Sequence, residues 1–308
     1  MRTTQLTAAL PPLSVIALGT AEYGSRIPEA AAFALLDAYA AGGGTVLDTA
    51  NCYAEWLPDG EGRSERTIGN WPRTRPSTHM VISTKGGHPR MSSMDQSRLC
   101  PADLNHDLTQ SLARLQVDQV GLYWLHRDDE SIPVGELVDW LEGQRHRGRI
   151  AAYGASNWST ARLDAAAAFA RTYHCAGFCA DQPGWSLAER RSDMPTIPGC
   201  SYGDADLLAW HRRTGLGTMA YTSQARGWFT KDVADYDTPA NRARRLRAEH
   251  LASKSGSTAN RVALAWLTNQ PFPGIAIVGP NRMDQLSDCL AAGEVVLSAH
   301  HVTWLANG

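Results

Sequence analysis

The sequence predicts an α/β fold, a parallel (β/α)8 barrel built as a single domain over residues 1–308. Two observations predict it. Short apolar runs alternate with longer helix-periodic stretches along the whole chain, a pattern of strands joined by crossover helices rather than by hairpins. Four of those apolar runs end in chemistry-bearing residues: Asp48-Thr49-Ala50-Asn51-Cys52-Tyr53, Ser83-Thr84-Lys85-Gly86-Gly87, Leu125-His126-Arg127-Asp128-Asp129 and Gly154-Ala155-Ser156-Asn157-Trp158. Residues at successive strand ends meet only where the strands lie side by side, as they do at the C-terminal face of a parallel barrel.

The elements follow in order. Residues 15–18 read as the first strand and 28–41 as an alanine-rich helix, with Pro28 in its first turn and Gly42-Gly43-Gly44 ending it. Residues 45–47 form the second strand, 64–70 a helix capped by Ser64, and 80–83 the third strand. In 101–115, Leu104, Leu108, Leu112 and Leu115 recur at helical spacing. Strands at 120–125, 150–153, 177–180, 217–221 and 274–278 alternate with helices at 133–147, 161–173 and 204–214, then a consecutive pair at 242–253 and 259–269. A helix at 283–291 closes the set. The connections 51–63 and 180–202 are long for a compact barrel, and length of that kind usually serves function.

Composition narrows the partners. With 43% hydrophobic residues the chain can bury a large core, and a net charge of −2 gives no basic surface for nucleic acid. No apolar run approaches a membrane span, and the polar start lacks a signal-peptide layout, so a cytoplasmic protein with reduced thiols is expected. Six scattered cysteines complete no metal-site spacing, and no metal is expected. Oligomeric state is not legible.

The motifs together resemble the aldo-keto reductase superfamily over nearly the whole chain. They are Leu47-Asp48-Thr49-Ala50 with Tyr53, Gly62-Arg63-Ser64-Glu65, Thr84-Lys85, Leu125-His126, Gly154-Ala155-Ser156-Asn157, Asp181-Gln182 and Ala220-Tyr221. The resemblance implies a barrel that uses a nicotinamide cofactor without a Rossmann domain. No strand–GxGxxG–helix unit is present. Reducing a carbonyl requires a hydride at carbon and a proton at oxygen. Tyr53 is the expected acid, Lys85 the cation that lowers its pKa, Asp48 the anion that holds Lys85, and His126 the donor that orients the substrate oxygen.

By the same resemblance, Ser156, Asn157 and Gln182 bind the nicotinamide carboxamide and Tyr221 stacks beneath the ring. Thr222, Ser223, Gln224 and Gly227 belong to a loop expected to cradle the pyrophosphate, with Arg226 adding charge. Gly279, Arg282, Gln285 and Asp288 lie in the adenosine segment, where Pro280 replaces a usual serine or threonine and Cys289 a usual asparagine. Arg282 suits a 2′-phosphate, whereas Asp288 facing the ribose would favour a free hydroxyl. NADPH is the expected cofactor and NADH the alternative. Tyr23, Trp56, Trp158, Trp185 and Trp228 are the expected walls of a pocket for a small carbonyl substrate, a keto-sugar or a secondary-metabolite ketone. Two other classes compete: a cofactor-binding sensor with vestigial turnover, and a metal-dependent hydrolase suggested by His126-Arg127-Asp128-Asp129.

Overall fold

Strand periodicity decides what faces the middle of the molecule. In the computed structural model, which describes residues 1–71, 80–195 and 197–308, eight parallel strands close into a barrel in chain order. They are β1 (Ile16–Gly19), β2 (Val46–Asp48), β3 (Val81–Gly86), β4 (Val120–Leu125), β5 (Ile150–Ser156), β6 (Ala180–Gln182), β7 (Gly217–Ala220) and β8 (Gly274–Val278). The pairing of β8 with β1 closes the ring.

Successive side chains on a strand point to opposite faces. Val46, Val81, Leu122, Trp124, Ala152, Ala180, Met219 and Ile275 pack together as one buried cluster inside the barrel. Their neighbours Leu47, Ile82, Tyr123, Leu125, Tyr153 and Ala155 pack outward under the helices. Gly154 belongs to this scheme by subtraction: a Cβ there would lie 2.4 Å from the Ala180 carbonyl oxygen and 2.5 Å from the Trp124 ring.

Ten helices are described: α1 (Glu29–Ala41), α2 (Arg63–Asn70), α3 (Pro101–Leu115), α4 (Val134–His146), α5 (Thr160–Tyr173), α6 (Ala205–Thr214), α7 (Pro239–Ser255), α8 (Ala259–Thr268), α9 (Met283–Ala292) and α10 (Ala299–Asn307). An antiparallel ribbon, Thr3–Thr4 against Leu13–Ser14, sits beside the N-terminal ends of the strands. Among the described residues no helix is long and apolar enough to cross a membrane.

Four details differ from the sequence expectation. The sixth strand is Ala180–Gln182 and not 177–180, because its two polar residues are both used: Asp181 faces His211 outside the barrel and Gln182 faces Asp48 inside. Ser64 does not cap α2; Gly62 precedes the helix in the left-handed region, and the Ser64 hydroxyl is buried against Thr20 and Thr49. Helix α7 begins at Pro239 under a Thr238 cap, three residues before the expected start. Helix α10, capped by Ser298, lies outside the expected set, which ended with the helix over 283–291.

Candidate active site

The inward register of β2, β3 and β4, carried one step past each apolar pair, brings Asp48, Ser83, Lys85 and His126 to the C-terminal mouth. Asp48 pairs with Ser83 across β2 and β3, and Lys85 pairs with Trp124 across β3 and β4. Tyr53 arrives from the β2–α2 connection, whose first residues form tight turns. That connection is tied down by Asn51, which donates to the Asp107 carbonyl and to Gln110, while Arg114 holds the Asn51 carbonyl.

These residues form one network. The Lys85 ammonium donates to Asp48 Oδ2 at 2.6 Å, to the Thr49 carbonyl at 2.6 Å and to the Tyr53 hydroxyl oxygen at 3.1 Å. An ammonium has three N–H donors, and all three are used. Asp48 Oδ1 accepts from Ser83 Oγ and from Gln182 Nε2, each at 3.0 Å. Both ends of the ion pair are about 2% exposed. Burial works against the Lys85 charge, but Asp48 and Tyr53 outweigh it and hold the ammonium above its usual range. Since Lys85 donates to the phenol oxygen, the Tyr53 proton is free to point into the cleft.

The expectation that Lys85 lowers the Tyr53 pKa needs a correction. Lys85 does pull it down, but burial is the larger effect, and the phenol stands above its ordinary value. Through the neutral range Tyr53 is therefore a protonated donor.

His126 is held neutral, far below its usual pKa, by burial first and then by the charge of Arg127. Its Nδ1 lies 3.6 Å from Cys52 Sγ. Burial lifts the Cys52 thiol to about 12, so it is protonated and can donate to Nδ1, leaving the ring proton on Nε2. A second imidazole, His88, lies 4.8 Å from His126 and is held at about 4, again by burial first. Sequence reasoning missed Cys52, His88 and the Thr49 carbonyl as parts of this centre. Ser83 had a usable signal, since it lies two residues before Lys85 on one strand and so shares its face.

The β5–β7 ends form the adjoining wall. Ser156 Oγ donates to the Gln182 carbonyl, and Asn157 Nδ2 donates to Ser156 Oγ and to the His126 carbonyl. Asn157 Oδ1 accepts from the Tyr221 hydroxyl at 2.7 Å and from Ser201 N at 3.0 Å. Gln182 Oε1 is buried and, among the described residues, has no partner. A buried amide oxygen left this way costs free energy unless a donor fills it, and a carboxamide N–H would do so. Beyond Tyr221, the residues Thr222, Ala225, Arg226 and Gly227 all have positive φ, the backbone form that turns N–H groups toward an anion. Ser223 anchors this loop to the Ile277 carbonyl, Gln224 binds Asn260, and Gly279 borders open space. These features fit a nicotinamide dinucleotide.

At the far end Arg282 is exposed and forks onto Asp284, and Gln285 receives Asn281 N. Asp288 is not available to a ribose: Arg261, Asn260 and Thr258 all donate to it. The proposed aromatic walls also need correction. Trp158 is buried between Phe178 and the Arg162 guanidinium. Trp185 is packed among His211, Phe272 and Trp266, and Trp228 is buried with its indole N–H on the Asn241 carbonyl. Tyr23 is core. Trp56 remains, half exposed and edge-on to Tyr53 at 6.4 Å. The adjacent carboxylates are engaged elsewhere: Asp128 is forked by Arg162, and Asp129 binds Ser131. Among the described residues no cluster of three His, Cys, Asp or Glu could hold a metal ion. A cavity of about 700 Å³ at the opposite barrel face, lined by Leu6, Tyr153, Phe178 and Trp210, touches none of the four central residues.

Residues 15–306 match the sequence profile described as Aldo/keto reductase family. A Bacillus subtilis protein called uncharacterized oxidoreductase YrpG is 30% identical over 92% of this chain and 89% of its own length. Norsolorinic acid reductase stcV of Emericella nidulans is 26% identical over 94% of this chain and 76% of its own. Norsolorinic acid reductase B of Dothistroma septosporum is 25% identical, over 92% and 72% respectively.

Proposed function

The chain belongs to the aldo/keto reductase family of NAD(P)-dependent oxidoreductases, and from that premise we propose that it is a single-domain NADPH-dependent reductase of ketones or aldehydes with Tyr53 as its acid. The observation that carries this reading is the Asp48–Lys85–Tyr53 chain, buried and with every Lys85 donor used. The Tyr53 hydroxyl and the neutral His126 imidazole together hold the carbonyl oxygen. Tyr53 gives its proton to that oxygen, and Lys85 stabilises the phenolate left behind. The bound nicotinamide would supply the hydride to the carbonyl carbon. Ser156, Asn157 and the unfilled Gln182 oxygen would hold its carboxamide, which fixes the ring face presented to the substrate. Tyr221 sits at the same wall, and the Thr222–Gly227 backbone would take the pyrophosphate.

NADPH is favoured over NADH by two facts at the adenosine end. Arg282 is exposed with only a local partner, and the acid that would have selected a free ribose hydroxyl, Asp288, is neutralised by Arg261. Of the two substrate classes, a keto-sugar and a secondary-metabolite carbonyl, the names of the fungal relatives favour the second. The test is a titration of the purified protein with NADPH and with NADH, read by tryptophan quenching, followed by an assay of NADPH oxidation with aromatic ketones, aldehydes and keto-sugars. Preferential NADPH binding with turnover of a non-sugar carbonyl is the expected result. Tight cofactor binding without turnover of any carbonyl would point instead to a sensor, and binding of neither cofactor would contradict the reading.

A further inference from the structure

Arg127 follows His126 directly, and its charge is uncompensated. Its Nη1 donates to the His126 carbonyl at 3.0 Å, while its Nε is buried with no partner among the described residues. Among the described residues no carboxylate lies within 4.0 Å of this guanidinium. The other arginines around this face contrast with it: Arg90, Arg98, Arg114, Arg162, Arg190 and Arg226 each have an acidic partner. The nearest acid in sequence, Asp128, is taken by Arg162 at 2.8 Å.

The place of Arg127 is also informative. The side chain runs beneath the loop after β6, so closely that a methyl group on Gly199 would lie 2.9 Å from Arg127 Cδ. Its backbone is pinned by Trp158, whose indole N–H donates to the Arg127 carbonyl. Its charge acts on Cys52, His88, His126, Tyr202 and Tyr221, groups from separate segments that surround the reacting centre. A guanidinium with open N–H donors, partly removed from water, is costly unless an anion completes it. Its planar fork matches a carboxylate with two parallel hydrogen bonds.

We propose that Arg127 anchors the substrate, and that the natural substrate is a carbonyl compound that also bears a carboxylate seated on this guanidinium beside His126. The proposal rests on the reductase reading for the carbonyl half of the substrate but not for the anionic half. Arg127 sets which substrates enter the cleft, and Tyr53 and His126 act on the carbonyl that arrives.

The test compares wild type, Arg127→Met and Arg127→Lys, all as the full chain with saturating NADPH. The first readout is kcat/KM for 4-carboxybenzaldehyde divided by kcat/KM for its methyl ester. This ratio is expected to fall about ten- to a hundredfold in Arg127→Met, mostly through KM, and to recover in part in Arg127→Lys. The second readout needs no turnover: binding of benzoate and of benzamide to the NADPH complex, followed by tryptophan quenching. Benzoate is expected to bind wild type and Arg127→Lys more tightly than Arg127→Met, with no such order for benzamide. If benzoate behaves this way while neither aldehyde nor any other carbonyl of the panel above is reduced, the anchor stands and the reductase reading fails. A carboxylate-to-ester ratio and a benzoate affinity that are the same in wild type and Arg127→Met overturn the proposal, as does a wild type that does not bind benzoate.

Discussion

The two ends of the proposed cofactor cleft are built on opposite principles. At the β2–β4 ends, Asp48 and Lys85 are nearly sealed from water, and every polar contact is made within the protein. At the β8–α9 end, Arg282 and Asp284 pair in solvent, each more than half exposed. An ion pair of the first kind is stiff and sensitive, because losing one partner strands a buried charge. One of the second kind is screened and contributes little to stability. On the proposed reading, the chemistry is held in a prebuilt network and the adenosine end is left adaptable. The departures Pro280 and Cys289 do not share that exposure: Pro280 is buried just before the solvent-exposed residues that follow it, and Cys289 is core.

The contrast predicts unequal costs. Lys85→Met should lower turnover by about a thousandfold or more and destabilise the protein by about 3–5 kcal/mol, since Asp48 is left buried without its cation. Adding Asp48→Asn should recover much of the stability and none of the activity, which thermal melting and kcat would separate. Equal stability of wild type and Lys85→Met would break the comparison.

A smaller effect concerns acid. His88 has an unfolded pKa near 6.5 and is held at about 4 in the fold. Between those values the unfolded chain takes up a proton that the folded protein refuses. The stability His88 supports is therefore complete above pH 6.5 and is lost as pH falls toward 4. His126 is depressed in the same direction. His211, raised by Asp181 against its own burial, works in the opposite sense and only above 6.5, so it does not cancel the effect. Melting temperature should drop across pH 6.5 to 4, less steeply in His88→Gln. An unchanged slope in that variant would remove His88 from the account.

The smallest effect is expected at the exposed end. Arg282→Ala should reduce the ratio of NADPH to NADH affinity by about three- to tenfold, measured by fluorescence titration. A hundredfold change would show the adenosine end to be as tightly specified as the catalytic one.

How much was legible in the sequence follows the same division. Strand ends and a two-residue period were enough to bring Asp48, Lys85 and His126 together, because a parallel barrel allows side chains at those positions one destination. Tyr53 could be placed because it follows Asp48 within one short motif, and the structure ties the start of that long connection to α3. The tryptophans could not. Trp185 and Trp228 lie in irregular segments, where sequence carries no face, and a large apolar ring in such a segment gains more by entering the core than by walling a cleft. Asp288 escapes sequence reasoning for a related reason: its partner Arg261 comes from α8, 27 residues away in sequence, and no local pattern links them. The unpartnered Gln182 oxygen and Arg127 nitrogen are statements about what is missing nearby, and a sequence has no means to display an absent neighbour.

The most direct test of the central claim is the kinetics of Tyr53→Phe, with cofactor affinity measured on the same preparation. The phenol oxygen is the one acceptor on Lys85 that also faces the cleft, so its removal should cost reduction and little else. A loss of at least about a hundredfold in kcat/KM for a carbonyl substrate, with NADPH still bound, is the predicted result. Turnover near that of wild type would mean that Tyr53 is not the proton donor and that the buried Asp48–Lys85 pair serves the fold alone.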